Sequence, residues 1–458
     1  MWLPEISQAG GPKYLSISLA LSRDIQAGRL LPGDRLPSQR ELADALGVDL
    51  GTITRAYAEA RRSGLIDADG RRGSFVREVG SASLVQQAEP FDTGMNLPPL
   101  AMHSSLPERY TNDLREILSG PSAANRLQYQ PGGGAPVDRQ AGADWLSARG
   151  IVAHEDIVLV VSGAQTALHA IAHSALEPGD AVCMGRFVYP GWLAIMRRRG
   201  LTIVPVQTDA EGILPDALDR ACLEGSVRAV YLVPANDNPT TATMGLQRRH
   251  DIVEVARKYD LLVIEDDTYG LLASEPLAPL ASLAPERTWH VASLSKIISP
   301  SLRVAYLRAP TVRDAWRLVV DVHETTIMAP PLNVAVVTAW LRGDVWSGLV
   351  AEVRDECIAR QAIAAAALPA GSYHFDPEGY HLWIPQMDGI APAELVSALT
   401  ASGLSAVAGE TFAADRANVA GGLRVSIGGN ISRERLERSL LLLDALLHHR
   451  GGRSTPLV

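Results

Sequence analysis

The stretch "SLSKIISPSLRVAYL", Ser293 to Leu307, holds one of only three lysines in a chain of 458 residues. The others are Lys13 and Lys258, and the remaining 39 basic residues are all arginine. An arginine supplies charge and binds phosphate, but its guanidinium stays protonated and is no nucleophile. A lysine amine that sheds its proton can attack an aldehyde and form an imine. Lys296 lies between a β-like run and Pro300, seven positions before Arg303. It is either an ordinary surface lysine or an imine-forming amine.

Three more segments carry groups of the same kind. "IVLVVSGAQTALHAIAHSAL" reads as a strand, a tight Ser162-Gly163 turn and a helix whose buried stripe is Leu168, Ile171, Ala172, Ala175 and Leu176. The turn offers the backbone N–H groups of Gly163, Ala164 and Gln165 at a helix N-terminus, a ready anion site, although many α/β proteins have such a turn. "LLVIEDDTYG" ends an apolar strand on Glu265, Asp266 and Asp267, followed by Tyr269. Carboxylates there cost desolvation unless paired. They read as a solvated loop, as metal ligands, or as an aspartate holding a protonated pyridine nitrogen so that the ring draws electrons. "YLVPANDNPTT" sets Asn238 before a proline, where asparagine commonly just forms a turn.

The elements that must position these groups are legible from residue 140 onward. Helical patterns alternate there with "DIVLVV", "AVCMG", "TIVPV", "AVYLV", "LLVIEDD", "WHVASLS" and "RVAYL". That alternation predicts an α/β fold with a mainly parallel sheet covered by helices. Ligands of such sheets lie beyond the carboxyl ends of the strands, where all four segments fall. Together they specify a phosphate, an aldehyde, a phenolic oxygen and a pyridine nitrogen: pyridoxal 5′-phosphate (PLP).

With these motifs in order, residues 95–458 resemble the fold-type I aminotransferases. The resemblance implies that Lys296 of "S-x-S-K" forms the Schiff base and Asp266 of "D-x-x-Y" binds the pyridine nitrogen. It implies Tyr269 and Asn238 at the phenolic oxygen, and the backbone of Ala164 and Gln165 with Ser293 and Arg303 on the phosphate. Tyr189 of "VYPG" would stack on the ring, and Tyr129 of "YQPGGG" would reach the phosphate in the partner subunit. Arg424 of "LRVSIGG" would pair with an effector carboxylate. Ser301 and Ala305 stand where the family usually has glycine.

The N-terminal part is different. Residues 12–64 read as three helices, the first over about Tyr14–Ala27. Ser38 and Glu41 have capping-box spacing at the start of the second, and Gly47 ends it. Asp49 can cap the third, which Gly64 stops, and "LIDADG" with "RRGSFVRE" forms two β-like runs around a turn. This is either an ordinary three-helix bundle or a winged helix-turn-helix. In the second case Thr52, Thr54 and Arg55 would meet bases, and Arg40, Arg71 and Arg72 would meet phosphates. "GRLLPGDRLPSQRELADALG" and its continuation into "GRRGSFV" closely resemble the winged helix of the GntR family of bacterial repressors. Residues 79–94 read as a linker with a reach of about 20 Å.

Net charge is −9, yet residues 1–80 are near neutral at +1, so the acidity belongs to the rest and charge alone does not mark DNA binding. Three separated cysteines argue against a disulfide framework and a zinc site, and no metal is expected. The start has no signal-peptide pattern and no apolar run suits a membrane, so a cytoplasmic protein is expected.

A winged helix ahead of an aminotransferase fold resembles the MocR-type regulators within GntR. The expected organisation is a DNA-binding domain at 1–78, a linker at 79–94 and an aminotransferase-like domain at 95–458. Within the last, a large subdomain would cover about 135–325, and 326–458 with the N-terminal segment would form a small one. The resemblance implies a PLP-dependent regulator that binds double-stranded DNA as a head-to-tail homodimer and senses an amino acid or related amine through an imine at Lys296. The alternative is a working aminotransferase with an accessory DNA-binding domain, since fold does not dictate function.

Overall fold

A computed structural model describes residues 2–4, 13–26, 29–31, 33–62, 65–69, 73–76, 94–101, 104–385, 391–415 and 421–449. Its contacts divide the chain into two compact units, Met1–Phe91 and Asp92–Val458. The linker read at 79–94 falls outside the described residues except for Gly94.

The first unit packs α1 (Lys13–Gln26), α2 (Gln39–Leu46) and α3 (Leu50–Arg62) around Ile17, Leu21, Leu42, Ile53 and Tyr57. The capping box forms as the spacing predicts: Glu41 N–H donates to Ser38 Oγ and Ser38 N–H to Glu41 Oε2. Such a cap is worth about 1 kcal/mol. Gly47 closes α2 in the left-handed region at φ 60°, which a β-carbon would disfavour. Asp49 caps α3 through the Thr52 N–H at 2.9 Å. The wing is an antiparallel pair, β1 (Ile66–Asp69) and β2 (Gly73–Val76), so the winged helix-turn-helix replaces the plain bundle. Gly64 lies outside the described residues.

In the second unit every predicted apolar run becomes a strand of one sheet. These are β3 (Val158–Val161), β4 (Ala181–Met184), β5 (Thr202–Pro205), β8 (Val227–Leu232), β9 (Leu262–Asp266), β10 (Thr288–Ser293) and β11 (Ala305–Arg308). A two-residue ribbon, β6 (Thr208–Asp209) with β7 (Gly212–Ile213), lies apart. The order is β3-β11-β10-β9-β8-β4-β5. β11 alone runs antiparallel to its neighbours, which brings its start, Arg303 to Ala305, beside the ends of β3 and β10. A second sheet of order β12-β13-β15-β14 comprises β12 (His374–Phe375), β13 (His381–Ile384), β14 (Ser405–Ala408) and β15 (Leu423–Ser426). The helix Ala164–Ser174 buries more than the expected stripe, since Ala167 and Ala170 are also fully covered, and Ala175 is its half-buried cap.

One close approach holds β11 in place. Gly142, in the helix Pro136–Ser147, lies against the buried Tyr306 ring, and a β-carbon there would overlap it. Gly142→Ala is therefore expected to destabilise the second unit by about 1–3 kcal/mol as an overpacked core. The check is the urea midpoint of the full-length variant against the native chain.

Candidate functional site

The carboxyl ends of the parallel strands collect the predicted groups. Asp266 is the last residue of β9 and Ser293 the last of β10, and Lys296 follows three positions later. Of the three lysines, Lys13 and Lys258 are exposed, the latter paired with Asp219 at 2.6 Å. Lys296 is held inside, its Nζ donating to the Asn96 carbonyl at 2.5 Å. Burial and the nearby Arg424 charge pull its amine down to about 8, against the opposing attraction of Asp266.

The three consecutive carboxylates face different partners. Glu265 accepts from the N–H groups of Leu280 and Ala281 at 2.6 and 2.9 Å and meets His290 Nδ1 at 2.7 Å. Burial works against the Asp267 charge, but Arg149 ion-pairs with it and His290 adds attraction, so its carboxyl stays below the ordinary range. Asp266 Oδ2 accepts from the Tyr231 hydroxyl at 2.9 Å, while its buried Oδ1 has no hydrogen-bond partner. Burial pushes Asp266 up to about 6, with the Tyr231 bond and the Lys296 charge pulling the other way. Asp267 Oδ1 is also unpartnered, but the backbone of Gly270 closes against it. Among the described residues no group of His, Cys, Asp and Glu has metal-ligand geometry.

The Ser162-Gly163 turn and the helix after it form where the sequence places them. Gly163, at φ 88°, precedes the helix Ala164–Ser174, and Arg303 donates to the Ser162 carbonyl at 2.6 Å. The positive φ at 163 favours glycine, and an added β-carbon would also push the Arg303 guanidinium, 2.7 Å away, aside. Gln165 and Arg303 are exposed, leaving the helix N-terminus open beside a guanidinium. Tyr189 is half-buried, and its phenol rises through burial and the neighbouring Asp266 charge. These residues fit PLP: an amine, an anion cradle, and an unmatched buried carboxylate oxygen suited to a pyridinium N–H.

Asn238 and Arg424 meet, Nη1 to Oδ1 at 3.3 Å, and the Arg424 Nη2 donates to the Gly94 carbonyl at 2.6 Å. Tyr269 is buried, and its hydroxyl accepts from Asn96 Nδ2 at 3.2 Å. Ser301 is exposed, whereas Ala305 is fully buried in β11, so the two departures from glycine fall in different surroundings. Tyr129 is 79% exposed.

Residues that sequence reasoning missed complete the cluster. Asn96 touches Lys296 and Tyr269, and its side chain also meets His381 Nδ1 at 3.1 Å and accepts from Ser426 at 2.8 Å. His381 Nε2 donates to the Asp237 carbonyl, and burial with the Arg424 charge holds the imidazole neutral, down at about 3. Asn96 gave no local signal, since its partners lie 173 to 330 positions away. The one polar residue in the apolar run "YHLWI" was a usable hint for His381.

In the first unit Arg40, Thr54 and Arg55 are exposed on α2 and α3. Thr52 is half-buried with its hydroxyl on Asp49, which makes it part of the helix cap. Thr54 Oγ1 bonds Gln39 at 2.8 Å, tying α3 to α2. Arg71 and Arg72 lie outside the described residues. Arg35, missed in the sequence, is exposed beside Gly73 of the wing.

Residues 94–441 match the family model "Aminotransferase class I and II", and residues 13–76 match "Bacterial regulatory proteins, gntR family". The uncharacterized HTH-type transcriptional regulator YdeF of Bacillus subtilis is 29% identical, over 97% of this chain and 96% of its own length. The vitamin B6 salvage pathway transcriptional repressor PtsJ of Salmonella typhimurium is 28% identical, over 80% of this chain and 84% of its own. Among solved structures, the kynurenine aminotransferase of Pyrococcus horikoshii superposes with a TM-score of 0.69 at 24% identity, covering 78% of this chain and 92% of its own.

The lowered Lys296 amine has a measurable sign. An unfolded lysine titrates near about 10.4, so between about 8 and that value the unfolded chain binds more protons than the folded one. Stability of the PLP-free protein therefore rises with pH across that window, and below it the cost of burying the charge is fully present. Urea unfolding of the native chain and of Lys296→Met at pH 7, 8.5 and 10 should show the native chain gaining on the variant. Parallel pH curves would contradict it.

Proposed function

The chain belongs to the class I and II aminotransferase family and carries a GntR-family winged helix ahead of that domain, the MocR combination, and from that premise we propose how this transcriptional regulator uses its site. The cofactor of the family is PLP, and the reading is that this chain holds it to sense an amino acid or related amine. One observation carries it: Asp266 Oδ1 is buried and unpartnered within electrostatic reach of the Lys296 amine. A pyridinium N–H is the donor that would satisfy that oxygen.

When bound, PLP supplies an aldehyde carbon for which Lys296 and an incoming primary amine compete, and a ring that draws electrons. The chain's own residues do the holding. Asp266, kept in reach by Tyr231, faces the ring nitrogen; Tyr269 and Asn238 serve the phenolic oxygen; Tyr189 covers the ring face. The N–H groups of Ala164 and Gln165, with Ser293 and Arg303, hold the phosphate. Arg424 grips an effector carboxylate through its planar fork. Tyr129, exposed in one chain, completes the phosphate site of its partner in a head-to-tail homodimer. Residues 1–78, with Arg40, Thr54, Arg55, Arg71 and Arg72 toward double-stranded DNA, report occupancy through the 79–94 linker from the 95–458 domain. In this reading Thr52 acts by capping the reading helix. The protein works in the cytoplasm. PtsJ is named for vitamin B6 salvage, so PLP itself joins the candidate effectors.

Visible absorption of the purified chain with PLP, titrated with amines, tests the reading. A band near that of PLP-lysine adducts should form, shift with one amine class and stay shifted while DNA affinity changes. Arg424→Ala should weaken an acid-bearing amine about 10- to 100-fold, the loss of a charge-assisted contact worth about 1.5–3 kcal/mol. No band after adding PLP, or one unchanged in Lys296→Ala, would overturn the assignment. Steady release of a keto acid would mark a working aminotransferase instead.

A further inference from the structure

A cavity of about 270 Å³ lies in the second unit, where the turn joining β12 to β13 meets the loops after β8 and β9. Tyr269 is shared with the cofactor site, but Lys296, Asp266, Asn238, Arg303 and Arg424 do not line this space. Two polar side chains in its lining are more than nine-tenths buried: Arg149, 8% exposed, and Asn236, 5% exposed. Arg149 gives Nη1 to Asp267, and among the described residues its Nε and Nη2 have no protein acceptor. Asn236 Oδ1 is buried and unpartnered, although its backbone N–H donates to Thr243 Oγ1 at 2.9 Å. Arg249 differs, since the carbonyls of Met244, Ala278 and Pro234 occupy its guanidinium.

Idle donors on a buried guanidinium call for an acceptor, and the planar fork matches a carboxylate. Another part of the lining is acidic. Glu378 is already met by the Ser274 N–H at 2.9 Å, with Arg354 at 3.8 Å. Asp376 accepts from the Glu378 N–H at 2.9 Å and only distantly from Thr243, at 3.4 Å. Burial and the Glu378 charge hold the Asp376 carboxyl above its ordinary range, so the neighbour it lacks is a cation.

We propose that this cavity is a second ligand site, for a free α-amino acid whose carboxylate meets Arg149 and whose ammonium meets Asp376 and the Asn236 oxygen. A lone carboxylate would leave the acidic part unmatched, and a lone amine would leave Arg149 so. The volume lies just below the range of about 300–1,000 Å³ common for small-molecule pockets, as suits a ligand this small. The site needs no imine and stands whether or not the chain holds PLP.

The full chain is treated with PLP and borohydride, so that Lys296 no longer exchanges amines, and titrated by calorimetry. The probes are L-alanine, L-glutamine and L-lysine, with propionate and ethylamine as fragments carrying one charge each. At least one amino acid should bind about 10-fold or more tightly than both fragments, the worth of one added charge-assisted bond. Ala273→Phe fills the cavity without removing a polar side chain and should abolish the heat. Arg149→Lys keeps a cation for Asp267 and should weaken binding about 10-fold, as should Asp376→Asn. These two decide the matter if Ala273→Phe does not fold. No heat from any amino acid, propionate binding equally well, or binding unchanged in Arg149→Lys and Asp376→Asn would overturn the proposal. Heat that disappears only in Arg424→Ala would place the ligand at the cofactor site and overturn it too.

Discussion

Charge placed at the buried carboxyl edge of a parallel sheet has to be matched group by group, and the second unit is arranged around that requirement. Glu265, Asp266 and Asp267 lie in succession at the end of β9, all under 5% exposed. Two helix N–H groups and a histidine meet the first, and an arginine meets the third. The middle one keeps a tyrosine and an open oxygen. An unsatisfied buried acceptor costs about 1–3 kcal/mol; Asp267 Oδ1 is unpartnered too but walled in by Gly270, whereas Asp266 Oδ1 lies at the same edge as Lys296. The same need explains why Lys296 and Arg424, which repel each other, both reach backbone carbonyls.

Strand direction does the positioning. Had β11 run parallel to β10, its first residue would lie at the far edge of the sheet and Arg303 would not meet the β3 turn. Antiparallel pairing puts Ala305 opposite both Ser293 and Val161, and Arg303 then bonds Ser162. The second sheet contributes its share across the chain: Arg424 and Ser426 of β15 and His381 of β13 close over residues 94–96 and 237–238. The site thus draws on both sheets and on residues 94–96.

The winged helix is simpler because local rules suffice. A capping box, a left-handed glycine and an aspartate cap set α2 and α3 one after the other, with Tyr57 donating to the Pro37 carbonyl at 2.8 Å to lock the turn. Those same local bonds engage the Thr52 and Thr54 hydroxyls, while Arg40 and Arg55 are exposed.

What the sequence determined by itself was whatever depends on neighbours along the chain. Seven apolar runs became seven strands and the cap spacings became caps; Lys296, Asp266 and Asn238 stood out because each ends or follows an apolar run, whereas Arg303 was singled out by the resemblance. Tertiary structure alone decided which strand runs backwards, which carboxylate is left with an open oxygen, and that Asn96 joins four partners. Those outcomes depend on contacts well beyond a turn, from Ser293 with Ala305 and Tyr231 with Asp266 to Asn96 with Ser426, and period and capping rules reach only about a turn. The bare pattern "EDD" shows three equal acids; packing against Tyr231, His290 and Arg149 makes them three different ones.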